Sequence, residues 1–227
     1  AGLEQAQVIA LAFGALLAMA TAALLIWFLL PMQLLLLYAA LFFLQALYVA
    51  YLSGQGFDWP LLRLALPLQQ HAWNVPAALS GAAACLFVRE IADLKRFSPR
   101  VYSIFGWLAL VFVVLAFANV GDLVGLGALV ANVGNLVFLG AAAFTLVVAF
   151  LAWRRGSRAA GWFLLAWALL EAFTIAAAVS FLVSDEDALL VYYGLPLSMV
   201  AAAVLIALGV ADRLREQRRA LSEAERH

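Results

Sequence analysis

The stretch Val8–Leu30, "VIALAFGALLAMATAALLIWFLL", decides the fold. It holds no charged residue and runs apolar for about 23 residues, where a bilayer-crossing helix needs about 20. A secretory leader has a basic start and an apolar run of only about 7–15 residues. Here the residues ahead of the run, "AGLEQAQ", are polar and contain no Lys or Arg. The stretch therefore reads as a membrane helix and not as a leader. The expectation is that the numbering starts inside a longer protein.

The same reading extends along the chain. Of 227 residues, 68% are hydrophobic and 11% charged, whereas a soluble domain has about 45–50% apolar and about 25% charged residues. That composition implies an integral membrane protein. After the first span, 8–30, six more apolar segments follow at about 33–52, 68–88, 101–120, 126–152, 159–183 and 188–211. They are separated by "PMQ", "SGQGFDWP", "REIADLKRFSPR", "NVGDLVG", "WRRGSR" and "SDED", which carry turn and charge chemistry. Membrane strands would show alternating segments of about 10 residues, and these segments do not alternate. The expected fold is an all-α, seven-transmembrane helix bundle.

Charge orients it. Arg89, Lys95, Arg96 and Arg100 follow the third span, Arg154, Arg155 and Arg158 the fifth, and Arg213, Arg215, Arg218, Arg219 and Arg226 the seventh. Only Arg63 of the 13 basic residues falls on the other side. Excess Lys and Arg mark cytoplasmic loops, so the N-terminus is expected outside and the C-terminus inside. The net charge of zero conceals this polarity, because Glu4, Asp58, Asp122, Asp185, Glu186 and Asp187 lie on the outer side.

Residues 212–227, "DRLREQRRALSEAERH", continue the helical pattern beyond the last span. Val210, Leu214, Gln217 and Leu221 recur at spacings of four, three and four, the seam of a coiled coil. The segment reads as a cytoplasmic linker helix leading into a signalling coiled coil, or as a solvated helix end held at the membrane by its arginines. Arg219 and Glu223 form an i,i+4 pair on it.

Few side chains inside the spans carry chemistry. Glu171 is the one carboxylate within a span, and an intramembrane ionisable group is a functional candidate by default. It reads as a polar switch or as a hydrogen-bonded contact between helices. At the outer end of the third span, "QQHAWNVP" (69–76) places His71, Trp73 and Asn74 near the membrane surface. With Asp122, Asn132 and Asn135 they make a candidate ligand cup. The alternative is an interfacial helix start, where Trp is at home, with asparagines that pack helices. No metal is expected, because zinc takes about four ligands and the only other histidine, His227, is on the opposite side. Cys85, the lone cysteine, is read as a small buried hydrophobe. A seven-span chain with an outside N-terminus invites a retinal reading. Retinal needs a lysine within a span for its Schiff base, and the one lysine, Lys95, lies in a loop, so no retinal and no other cofactor is expected.

Three motifs in order then resemble one family. The second span ends "YVAYLSGQGFDWP", the third leaves the membrane as "LFVREIADLKRFSPRVYSIF", and the last spans contain "GWFLLAW" and "ALGVADRLREQRR". Together they resemble the bacterial seven-transmembrane receptors with diverse intracellular signalling modules, across essentially the whole chain. Members often carry a glutamate in the last span upstream of the arginine matched by Arg213. This chain has Ala202 there, so that acid's role is not carried over.

The resemblance implies a receptor module of the bacterial inner membrane that is not itself an enzyme. It implies a periplasmic sensor domain upstream and a cytoplasmic output domain downstream, of diguanylate cyclase or histidine kinase type, so two-component or cyclic-di-GMP signalling. The lipid bilayer and a second copy, forming a homodimer, are the other expected partners, and no nucleic acid is. Two alternatives stand beside this reading: a small-molecule receptor with its pocket in the outer half of the bundle, and a proton-linked transporter using Glu171.

Overall fold

The computed structural model describes residues 2–120, 127–183 and 193–225. Among these residues the regular structure is entirely helical. Helix α1 (Leu3–Leu29) ends where Pro31 forces Leu30 into extended backbone, φ −131° and ψ 90°. Helix α2 (Gln33–Leu52) then runs back. Gly54 takes a left-handed φ of 78°, turning the chain into two 3-10 helices, Gln55–Asp58 and Leu62–His71.

Helix α3 spans Asn74–Ile91. The sequence had suggested helix from about Leu68, with Pro76 two turns in. Pro76 instead lies in the first turn, where its missing N–H has no intrahelical acceptor to lose. The first α-helical bond runs from Ala77 N–H to Trp73 C=O. Pro76 therefore pins the start of α3, and the apolar residues ahead of it wind as a 3-10 helix.

A short α4 (Leu94–Phe97) links α3 to α5 (Pro99–Val120), which has Pro at its first position. Helix α6 (Gly127–Arg154) joins α7 (Arg158–Val183) within "WRRGSR". Gly156, at φ 99°, closes α6: its N–H bonds Trp153 C=O and that of Ser157 reaches back to Ala152 C=O. The Ser157 hydroxyl then accepts from Ala160 N–H, capping α7. Helix α8 (Leu195–Ala224) is the longest, at 30 residues.

The long helices pack in chain order around a ring, α1–α2–α3–α5–α6–α7–α8, and α8 closes it against α1. Helix α3 also touches α6, α7 and α8, so it lies innermost. Small side chains make that crowding possible: Gly81, Ala82, Ala83, Ala84 and Cys85 are all buried. A Cβ at Gly81 would come within 3.0 Å of the Phe112 ring on α5. An aromatic ladder of Tyr38, Phe87, Phe163 and Trp167 ties α2, α3 and α7 together.

Outward-facing positions are apolar as well, including Phe28, Trp107, Phe117, Leu136 and Val147. That is the pattern of a bundle solvated by lipid. Among the described residues six helices, α1, α2, α5, α6, α7 and α8, are long and apolar enough to cross a membrane. Helix α3 is shorter, with Asn74 at one end and Arg89–Glu90 at the other, and is not among them.

Candidate functional site: the polar collar where α8 leaves the bundle

Helix α8 begins in the core and ends free. Leu195, Met199, Ala202, Ala203, Ile206, Gly209 and Val210 are buried, whereas Arg215 and the residues after Gln217 are exposed. At about 1.5 Å per residue, the helix is about 45 Å long, and from Gln217 to Ala224 it is exposed throughout. Gly209 sets the approach to α7: a Cβ there would lie 3.1 Å from Ala159 O and 3.1 Å from Trp162 Cβ.

Half-way along, the buried Tyr38 hydroxyl of α2 donates to Ala203 C=O at 2.7 Å. This bond fixes the depth and rotation of α8 relative to α2. One helical turn past Gly209 the chain becomes polar, and Asp212 and Arg213 each find a partner on another element. Trp162 Nε1 donates to Asp212 Oδ2 at 2.9 Å. The guanidinium of Arg213 reaches Asp93 Oδ2 at 3.0 Å and Glu216 Oε2 at 3.4 Å. Arg215 closes on Asp212 at 3.7 Å.

Asp93 sits in the α3–α4 turn with φ 52°, a left-handed conformation that Asp tolerates better than most side chains. The turn thus aims its carboxylate at α8. The collar continues onto α5. Arg89 lies over the Tyr102 ring, 4.2 Å from its centroid. The Tyr102 hydroxyl donates to Glu90 Oε1 at 3.0 Å, and Arg89 Nε is 3.6 Å from the same oxygen. The result is a belt linking α3, α5, α7 and α8 at the end from which α8 projects. Arg213 is 17% and Asp93 30% exposed, so their pair is not freely solvated, whereas Arg215 is 74% exposed. Such a belt can hold α8 in one rotational setting and release it in another. It presents no nucleophile with a base and no clustered metal ligands among the described residues.

The sequence-derived candidates distribute differently. Trp73 packs edge-on to Tyr48 of α2, with centroids 6.0 Å apart, and Asn74 is the half-buried first residue of α3. Asn132 and Asn135 are both exposed on α6. Only the backbone of His71 is described, and Asp122 lies outside the described residues. The structure therefore brings Trp73 against α2, and among the described residues no contact joins Trp73 or Asn74 to the α6 asparagines. Glu171 is buried on α7, one turn beyond Trp167, whose buried indole N–H has no acceptor. Along the seam, Val210 is buried, Leu214 packs half-buried against the core, and Gln217 and Leu221 are exposed.

Residues 5–213 match the family described as 7TM diverse intracellular signalling. The chain belongs to that family. No curated protein and no solved structure matches it. Membership in the 7TM diverse intracellular signalling family, with six apolar helices, makes the chain a multi-pass membrane protein and the transmembrane module of a signalling receptor. The match ends at Arg213, the residue through which α8 is paired to the α3–α4 turn.

Proposed function

We propose that the chain relays a stimulus, received outside or within the membrane, to a cytoplasmic output domain by moving α8. In this reading seven helices span the bacterial inner membrane. The N-terminus is outside beside a periplasmic sensor domain, and the C-terminus is inside, leading to an output domain of diguanylate cyclase or histidine kinase type. The placement of the basic residues supports that orientation. The observation that carries the relay is that one unbroken helix runs from the core to the free tail. It is hydrogen-bonded to α2 at Ala203 and ion-paired to the α3–α4 turn at Arg213.

A stimulus shifts such an element only if it interacts differently with its two settings. The collar contacts would hold one setting and be lost in the other, and Glu171 on α7 is a buried polar group that such a shift would re-solvate. The receptor works as a homodimer whose tail seam starts at Gln217 and Leu221, because Val210 and Leu214 are already engaged by the chain's own bundle. The chain is not an enzyme in this reading, and the reaction belongs to the output domain.

Alanine insertions of one to seven residues after Gln217, made in the full-length receptor, test the relay. Output should rise and fall with a period of about 3.6 residues. Output indifferent to every insertion would rule out a rigid helical relay.

A further inference from the structure

The inner end of the bundle has a second feature that the relay does not use. Between α4 and the start of α5 on one side, and the end of α6 on the other, lies a cleft of about 120 Å³. Its walls are mainly apolar, with Phe97, Val101 and Val148 among them, and its polar groups are Ser98, Ser157 and Arg155. Arg155 is exposed, and so are Lys95, Arg96 and Arg100 on the α4–α5 wall and Arg154 and Arg158 on the α6–α7 wall. None of these six cations has an ion-pair partner among the described residues, because the inner-end carboxylates Glu90, Asp93, Asp212 and Glu216 all serve the α3–α8 collar. Phe97 and Leu151 leave half their surface open beside the cleft.

We infer that this cleft binds an anionic phospholipid of the surrounding leaflet, its phosphate on Arg155 and its upper acyl chain along Phe97, Val101 and Leu151. Complementarity supports this occupant: a group of cations without protein counter-charges suits anions, and a mainly apolar cleft beside them suits an acyl chain. Basic pockets between helices on the cytoplasmic side suit anionic headgroups for this reason. A free phosphate or a soluble anion would satisfy the cations and leave the apolar walls without a partner. The inference shares with the proposed function only the assignment of this end to the cytoplasmic side, and it does not depend on α8 moving.

Native mass spectrometry of the purified chain, loaded with phosphatidylglycerol or with phosphatidylcholine, tests it without reference to orientation or output. Phosphatidylglycerol should be retained preferentially. Arg155→Ala should lower its retention about fivefold, as expected for one basic contact near a lipid surface. Leu151→Trp, which obstructs the apolar wall, should lower it too, while Arg218→Ala on the tail should leave it unchanged. Equal retention of the two lipids would overturn the inference. So would full retention in both cleft variants, or displacement of the lipid by inorganic phosphate at equal concentration.

Discussion

The two halves of the bundle end from which α8 projects are built from the same residue types and used in opposite ways. On the α3–α8 half, Arg89, Arg213 and Arg215 meet Glu90, Asp93, Asp212 and Glu216 at 3.0–3.7 Å. On the α5–α6 half, Lys95, Arg96, Arg100, Arg154, Arg155 and Arg158 stand exposed. The first arrangement ties α8 to the α3–α4 turn through Arg213–Asp93. The second leaves its charges without an ion-pair partner among the described residues. Equal numbers of acids and bases in the sequence therefore do not mean general pairing: the acids of this end are concentrated where a helix must be held.

The sharpest way to break the held half is steric. Gly209→Leu places side-chain atoms where Ala159 O and Trp162 Cβ stand 3.1 Å from a mere Cβ. Overpacking of this kind costs about 1–3 kcal/mol, and thermal unfolding in detergent should report it. The corresponding small-to-large change at Gly140, which has open space around its Cβ position, should cost far less.

A smaller effect is expected from Tyr38→Phe, which removes the hydroxyl bonded to Ala203 C=O and keeps the ring in the aromatic ladder. Interhelical hydrogen bonds in membranes are worth about 0.6 kcal/mol on average and about 1.7 at most, so the loss should fall in that range. The smallest effect belongs to the unpaired half. Arg158→Ala should change stability by less than about 0.5 kcal/mol, because its guanidinium makes no protein ion pair among the described residues. A large loss there would mean that the two halves do not differ as described.

Much of this was legible in the sequence. Apolar runs place the helices, and "WRRGSR" contains both the closing glycine of α6 and the capping serine of α7. The start of α3 lies about six residues later than the expected 68, because Leu62–His71 winds as a 3-10 helix. Only the position of Pro76 limits the α-helix. The collar was less visible, since its partners are far apart in the chain: Tyr38 and Ala203 are 165 residues apart. Arg213 counts in a sequence as one more cytoplasmic cation. What distinguishes it from Arg158 is an aspartate in a left-handed turn between two helices, and that becomes visible only when the ring is closed. The polar residues of "QQHAWNVP" drew attention as a cluster, yet Trp73 lies against Tyr48 of α2 while Asn132 and Asn135 lie exposed on α6.

The central claim is that the Asp93–Arg213 pair couples the bundle to the helix that carries the signal. A double-mutant cycle on the basal output of the full-length receptor tests it most directly, using Asp93→Ala, Arg213→Ala and the two combined. The account predicts that each single change shifts output and that the combination shifts it no further, with a coupling above about 0.5 kcal/mol. Additive effects, or an output that ignores all three variants, would contradict it.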